Sequence, residues 1–539
     1  MPQNRKTRWW LLAILSVAAL VRIPGLFWGA NFPGGWQAHH IDEYTHWVVA
    51  ERMVVPGQAA RWTHPYPKGM AAHAAVPLIA ARVATGSVRA PAPPMSTIVT
   101  MGRLASLLYG VATVLVVFLW SRWLFTDIRV ALIGAGILAL GGLHVTQSHF
   151  FLSDVPAMFW LLLGLYCLHR EWEAEGEPVP WFLAAASFCF GVAFGIKLVI
   201  AGLPSLTLIA LRAAPRLYRA ALAGAFFLSG FFLVNLGLYS SADLFRMVAG
   251  GMADDYVYDR AFGALLYLIE IPGVASFPVC LLGAVGLGLL ARNLWNPARR
   301  TRLPLVLVVI VLPLLILLWS LLFKLDHFPR HLLPFLPFLA MAAAYALTCL
   351  SCPRTFAAAA AALFAYLLVF VYDGERVFVY EPRNQAASWI QAHAPPGNTL
   401  WWRGHQLRDY PSIEFPRGGQ PSYIVIEMHS ANHYLSGMNW RDSYPRDKRH
   451  IFDAGSLSHE DIRQLQGLFR NSSPYSEAAR FSEGYFMPEY TWPNRLIGDR
   501  SRNYVTEVVI FQKSRDDRPP RPESDDDAAR RLRPGASMP

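Results

Sequence analysis

The sequence is short of charge. Only 16% of its 539 residues are Asp, Glu, Lys or Arg, against 54% hydrophobic, whereas a soluble protein carries about a quarter charged residues. That shortfall excludes a chain that is soluble throughout and points to long apolar runs. Cysteine is scarce too. The five cysteines, Cys167, Cys189, Cys280, Cys349 and Cys352, all fall in or beside apolar segments. No disulfide framework is visible in the polar regions, and the one pair with metal-ligand spacing, Cys349/Cys352, is a weak signal. There is no Walker A motif, no dinucleotide-binding glycine pattern and no internal repeat. Nucleotide-driven or NAD-dependent chemistry therefore has no support. The net charge of +11 could suit nucleic acid, but the arginines gather in short loops between apolar runs. That distribution reports membrane orientation and not a nucleic-acid partner.

What the chain has in quantity is hydrophobic length. Trp9 to Phe27 is long enough to cross a bilayer, which takes about 20 residues. No small-residue cleavage site follows it, so it reads as an uncleaved anchor. Arg5, Lys6 and Arg8 precede it and place the N-terminus in the cytoplasm. A long outer loop, 28–99, follows. Further spans are expected at 100–123, 130–150, 155–170, two within 181–211 (an apolar run interrupted by Gly195 and Lys197), then 219–239, 265–291, 303–323, 332–350 and 355–372. The basic loops RAAPRLYR and RNLWNPARRTR fall on the cytoplasmic side in this count. The total of about eleven spans leaves the C-terminal region outside. The chain thus reads as an α-helical, multi-pass inner-membrane protein with a transmembrane domain over 1–372. Residues 373–513 are soluble in character and read as a small periplasmic α/β domain, with strand-like SYIVIEM and YVTEVVIFQ and a helix over RNQAASWIQAHA stopped by Pro395-Pro396-Gly397. Residues 514–539, rich in Arg, Asp and Pro, read as a disordered tail.

The ionisable residues gather at the outer ends of the spans. HHIDEYTHW at 39–47 carries Asp42 and Glu43. The spacing of Tyr44, Trp47 and Val48 suits a helix lying on the interface, apolar side down, with Asp42 at its N-terminal end, where the dipole favours a carboxylate. Asp is equally a plain helix starter. Asp154 in HVTQSHFFLSDVPAMFW is again a natural N-cap before Val155-Pro156. Convergence argues for more. His149, Asp154, Lys197, Glu270 and the segment Lys324 to His331 all map to outer span ends, and ionisable groups at membrane depth mark interior cavities and function. Lys197 and Arg330 suit a phosphate at headgroup level. A neighbouring carboxylate suits deprotonation of a hydroxyl nucleophile, and an apolar groove suits a lipid tail. Together these describe group transfer from a lipid phosphate carrier to an acceptor hydroxyl.

At this point the chain resembles the integral-membrane glycosyltransferases of the C superfamily, in particular the family 39 group of protein O-mannosyltransferases and lipid A aminoarabinose transferases. Six segments carry the resemblance in order: HIDEYTHW, HPYPKG, GRLASLLYGVATVLVVF, SHFFLSDVPAMF, GIKLV and FPRHLLPFLPFLA. They cover about 1–400, while the C-terminal domain matches only loosely, in RNQAASWIQAHAPPG. The resemblance implies the C-superfamily fold and an inverting transfer from a polyprenyl-phosphate sugar to a lipid, glycan or protein acceptor. It implies no certain cofactor and at most a weak link to a divalent cation, with no metal ligands identified. It further implies Asp42 as general base with Glu43 in support, and Asp154 positioning the acceptor or sharing the base role. Lys197, Arg330 and His331 would hold the carrier phosphate, with His331 standing where a Tyr is common. His149 and, in HPYPKG, Tyr66 and Lys68 complete the substrate-binding set.

Two readings from other classes compete. A lipid-linked-sugar flippase would place its ionisable residues near the midplane of broken helices, whereas here they cluster at one end. A non-catalytic envelope assembly protein would use 373–513 to bind a partner. The tryptophans are accounted for mainly as interfacial belts, with Trp401-Trp402 and the Tyr-rich 484–490 segment as candidate sugar-stacking surfaces.

Overall fold

The structure, a computed structural model, describes residues 5–30, 41–55, 69–87, 90–125, 127–172, 180–197, 217–235, 260–294, 329–394, 400–403, 421–427, 463, 466–469, 473–482, 484–490 and 507–514. The chain divides into two units. One comprises Met1–Phe27, Asp42–Asp254 and Tyr258–Glu375, and the other Trp28–Ile41, Asp255–Val257 and Arg376–Pro539.

The first unit is helical. In chain order its described helices are α1 (Arg5–Leu20), α2 (Ile23–Leu26), α3 (Ile41–Val54), α4 (Gly69–Ala84), α5 (Met95–Phe125), α6 (Ile128–Ala139), α7 (Gly142–Gln147), α8 (Asp154–Trp172), α9 (Pro180–Ile196), α10 (Leu217–Asn235), α11 (Arg260–Ala275), α12 (Phe277–Leu294), α13 (Leu336–Thr348), preceded by a 3-10 turn (Pro329–Phe335), and α14 (Pro353–Val379). Five stretches among the described residues are long and apolar enough to cross a membrane, six with one bent pair counted as a span. Apolar side chains such as Trp9, Trp10, Leu108, Leu281 and Leu368 stand exposed on the outside of this unit, as they do on a helix that faces lipid. The protein is a polytopic helical membrane protein.

The core runs through α5, α8, α9 and α13, where Phe118, Trp120, Leu162, Phe190, Phe338 and Met341 are sealed from solvent. Small residues let the backbones close up, the usual device where lipid removes the hydrophobic drive between helices. A Cβ added at Gly191 on α9 would fall on the Phe227 carbonyl of α10, and one at Gly230 on α10 would fall on the Phe188 carbonyl of α9. The α5 helix, 31 residues and about 46 Å at 1.5 Å per residue, exceeds a hydrocarbon core of ~30 Å.

Two of the continuous spans expected from hydropathy are broken helices. The run 130–150 splits at Leu140-Gly141 into α6 and α7. The break is held open by polar groups that hydropathy does not weigh: Arg22 Nη1 donates to the Ala139 carbonyl at 3.1 Å, and His144 Nδ1 lies 3.3 Å from the Leu138 carbonyl. The run 265–291 splits at Ser276, which takes a positive φ of 79°. There α11 and α12 meet at a bend of 108°. Pro272 inside α11 and Pro278 in the first turn of α12 are the local causes, since each ring removes a backbone donor and crowds the preceding turn. The interruption expected at Lys197 is present: α9 stops at Ile196. The remainder of 198–211 and the span expected at 303–323 lie outside the described residues.

The second unit holds α15 (Pro382–His393) and a four-stranded sheet of β1 (Leu400–Arg403), β2 (Tyr423–Glu427), β3 (Tyr475–Phe481) and β4 (Val508–Lys513) in the order β1-β2-β4-β3. Strands β1 and β2 are parallel, and β4 is antiparallel to both β2 and β3. Pro382 opens α15 with Glu381 as its N-cap, the position where a missing N–H costs nothing. Ala386, Ala387 and Ile390 of α15 pack on Tyr423, Val425, Val508 and Ile510 of the sheet. This is the small C-terminal α/β arrangement expected. Residues 515–539 lie outside the described residues.

Candidate active site

Glu43, on the first turn of α3, is fully buried and so is Arg103 on α5. Arg103 Nε donates to Glu43 Oε1 at 2.8 Å and Nη2 to Oε2 at 2.7 Å, a bidentate pair. The Phe151 N–H donates to Oε1 at 2.8 Å. Glu43 therefore ties three chain segments together: α3, α5 and the link between α7 and α8. A buried pair of this kind costs much of its Coulombic gain in desolvation, so what it supplies is placement. Asp42 precedes Glu43 on the same helix turn. Its side chain lies outside the described residues.

Phe151 leads directly into the second acidic motif. Asp154 is the first residue of α8, and the Ala157 N–H donates to the Ser153 carbonyl, so Ser153 takes the cap position that the sequence suggested for Asp154. The Asp154 carboxylate accepts instead from Nζ of Lys197, the residue that follows α9. The side-chain exposures are 4% for Asp154 and 16% for Lys197. Asp154, Met158 and Leu161, one face of α8 at helical spacing, line a small recess of about 10 Å³ together with Arg330, Leu333 and Pro334 of the 3-10 turn. Asp154 is thus ion-paired with Lys197, 43 residues on, and shares an apolar-walled recess with the Arg330 guanidinium.

The other expected site residues go elsewhere or stay undescribed. His149 is buried with its Nε2 3.0 Å from Glu375 Oε2, and Gly25 lies against its ring. It does not line the Asp154 recess. His331 is adjacent to Arg330 but turns to Tyr267, whose hydroxyl lies 2.8 Å from His331 Nδ1. Tyr66 and Lys68, and the segment 324–328, lie outside the described residues, as do the side chains of Trp401 and Trp402. Glu270 is buried on α11. In the 484–490 segment the rings of Tyr485 and Tyr490 meet at a tilt of 36°, centroids 4.7 Å apart. Among the described residues no group of three or more His, Cys, Asp or Glu side chains could hold a metal ion.

Three residues of this polar framework carried no weight in the sequence reading. Arg103 lies in the apolar run GRLASLLYG, and Arg22 near the end of the first span. An arginine inside a membrane span is itself a signal, because its charge must be met by a partner. Arg22 is fully buried and donates to Ser148 Oγ at 3.1 Å and to the Ala18 carbonyl at 2.6 Å, with His144 Nδ1 2.7 Å away. Glu375 had no comparable signal, since it sits where the composition has already turned polar.

Residues 94–242 match the model of the dolichyl-phosphate-mannose-protein mannosyltransferase family. No curated protein sequence matches the chain. Among solved structures, the apo oligosaccharyltransferase of Archaeoglobus fulgidus is 12% identical over 94% of this chain and 89% of its own, with a TM-score of 0.47. ArnT of Cupriavidus metallidurans bound to undecaprenyl phosphate is 14% identical over 93% of this chain and 98% of its own, at 0.48. The S. cerevisiae protein O-mannosyltransferase Pmt1-Pmt2 complex bound to the sugar donor is 20% identical over 46% of this chain and 35% of its own, at 0.35. The resemblance read from the motifs is borne out over residues 94–242, a segment that carries Arg103, Asp154 and Lys197 and is similar to the protein mannosyltransferase family.

Proposed function

We propose that the protein transfers a sugar, with inversion, from a polyprenyl-phosphate carrier to an acceptor hydroxyl on the outer face of the inner membrane. The observation that carries this reading is the Asp154–Lys197 pair at an apolar-walled recess that Arg330 also lines. Arg330 offers a planar fork of donors suited to a phosphate, and Lys197, paired with Asp154, adds a second cation. The carrier phosphate leaves as an anion and needs no proton, so cations and not a general acid are what its departure requires. On the other side of the reaction, an alcohol must lose its proton as it attacks. Asp42 takes that role: its carboxylate accepts the hydroxyl proton, the oxygen bonds to the anomeric carbon from the face opposite the phosphate, and the carbon–phosphate-oxygen bond breaks with its electron pair on the phosphate.

In this scheme Glu43 is a brace. Its oxygens are occupied by Arg103 and the Phe151 amide, and the same brace fixes the link that places Asp154. Asp154 orients Lys197 and the acceptor. No step is assigned to a metal ion. The acceptor is a lipid, a glycan or a protein hydroxyl, and the C-terminal α/β domain, 373–513, is the part that selects it.

The test is transfer by the purified protein from a panel of radiolabelled polyprenyl-phosphate sugars, with the product's anomeric configuration read by NMR. Label should appear on an acceptor with the configuration inverted relative to the donor. Retention would exclude direct displacement. Carrier movement across a liposome membrane without transfer from any donor would favour a flippase.

A further inference from the structure

One pair of residues singled out by spacing has no part in the transfer. Cys349 and Cys352 sit in the short turn that joins α13 to α14. Cys349 is the C-cap of α13, with its N–H directed at the Tyr345 and Ala346 carbonyls, each at 3.2 Å. Cys352 immediately precedes Pro353, the first residue of the 27-residue α14, and its carbonyl accepts the Phe356 N–H at 2.9 Å. Cys352 is therefore the N-cap of a long helix. Pro353 has no N–H, so the next amides, of Arg354 and Thr355, and the Thr355 hydroxyl are the groups that reach the Cys352 sulfur. Those hydrogen bonds hold its thiol below the usual range, as helix N-termini do for thiols generally. Both cysteines are exposed, whereas Cys189 is buried and Cys167 and Cys280 are half-buried. One turn thus brings together two solvent-accessible thiols three residues apart, one of them set at a helix start that favours its thiolate.

We propose that Cys349 and Cys352 are a redox-active dithiol, a site of thiol–disulfide exchange with small-molecule disulfides. The Cys352 thiolate attacks one sulfur of oxidised glutathione, the sulfur–sulfur bond breaks, and one glutathione leaves as a thiolate that takes up a proton. The Cys349 thiol then gives up its proton and attacks the Cys352 sulfur of the mixed disulfide, expelling the second glutathione. Two protein thiols are oxidised to one disulfide, and one glutathione disulfide is reduced to two thiols. Counting spans from the cytoplasmic N-terminus puts this turn on the side of the basic loops. Thiols there are kept reduced, so the dithiol is the resting state and closure is a transient response.

The experiment uses the full-length purified protein and does not depend on the transfer reaction. Cleavage after Arg330 and Arg354 releases one peptide, 331–354, that contains both cysteines and no other. After incubation with oxidised glutathione, this peptide should be lighter by two hydrogen atoms, and reduced glutathione should restore it. Cys349→Ser, which removes the resolving thiol, should trap a stable glutathione adduct on Cys352. Cys352→Ser keeps a good helix cap and should leave Cys349 the slower to react. A wild-type peptide that stays unmodified overturns the proposal. So does one that accumulates glutathione on both cysteines without closing.

Discussion

Two carboxylate–cation pairs hold the acidic motifs, and they differ in what surrounds them. Glu43–Arg103 has 0% side-chain exposure on both partners and is closed by a second Arg103 hydrogen bond and the Phe151 amide. Asp154–Lys197 keeps 16% exposure on the lysine and borders a recess with Arg330 across it. The first pair is a clamp between helices. The second lies beside a small recess that a further cation, Arg330, also lines. Similar chemistry in two settings thus divides into architecture and function, and the polarity of a residue alone does not say which. Arg480 in the C-terminal sheet, paired with Glu477 and Glu507 at roughly one-third exposure, is a third setting in which such pairs contribute little.

Breaking the clamp should have the largest effect on stability. Arg103→Met leaves Glu43 buried without its cation and should cost about 3–5 kcal/mol, seen as loss of monodisperse protein and a fall in melting temperature. An unchanged melting temperature would remove the distinction between the two pairs. Arg330→Met should leave melting unaffected and raise the donor KM by about 10- to 100-fold, equivalent to ~1.5–3 kcal/mol for a charge-assisted phosphate contact. If it lowered stability and spared KM, the recess would be structural. Gly102→Ala sharpens the comparison from the packing side. The added Cβ would fall on the Phe151 ring, and displacing that ring should cost about 1–3 kcal/mol in melting while weakening the Glu43 clamp. Arg480→Ala should cost ~1 kcal/mol or less and leave transfer rates alone. A large effect there would mean that the sheet domain is more tightly coupled to folding than its surface pairs suggest.

The convergence of Asp154, Lys197 and Arg330 was legible because each is an ionisable residue at the end of an apolar run, where sequence shows the cost of burial without showing the partner. Strands β2 and β4 were legible as short apolar runs, and α15 as a proline-started, proline-stopped helix. Strand β3, half exposed, has no comparable run. The pairing of Glu43 with Arg103 was not legible, because it joins residues 60 positions apart and no local pattern encodes a long-range partner. The break at Gly141 was hidden for a related reason: its carbonyls are met by Arg22 from another helix. The bend at Ser276 left a local trace in Pro272 and Pro278, but window-averaged hydropathy passes over both. His149 and His331 were expected at outer span ends facing substrate, yet their rings turn to Glu375 and Tyr267, a choice of rotamer and packing that sequence position does not fix.

The most direct test of the central claim is the transfer rate of Asp42→Asn against wild type. The substitution leaves the neighbouring Glu43–Arg103 clamp intact and removes only the capacity to take a proton. The variant should keep wild-type yield and melting temperature, retain donor binding, and lose about 10²–10⁴-fold in turnover, the usual contribution of a positioned general base. An Asp42→Asn protein that transfers sugar at the wild-type rate would contradict the account.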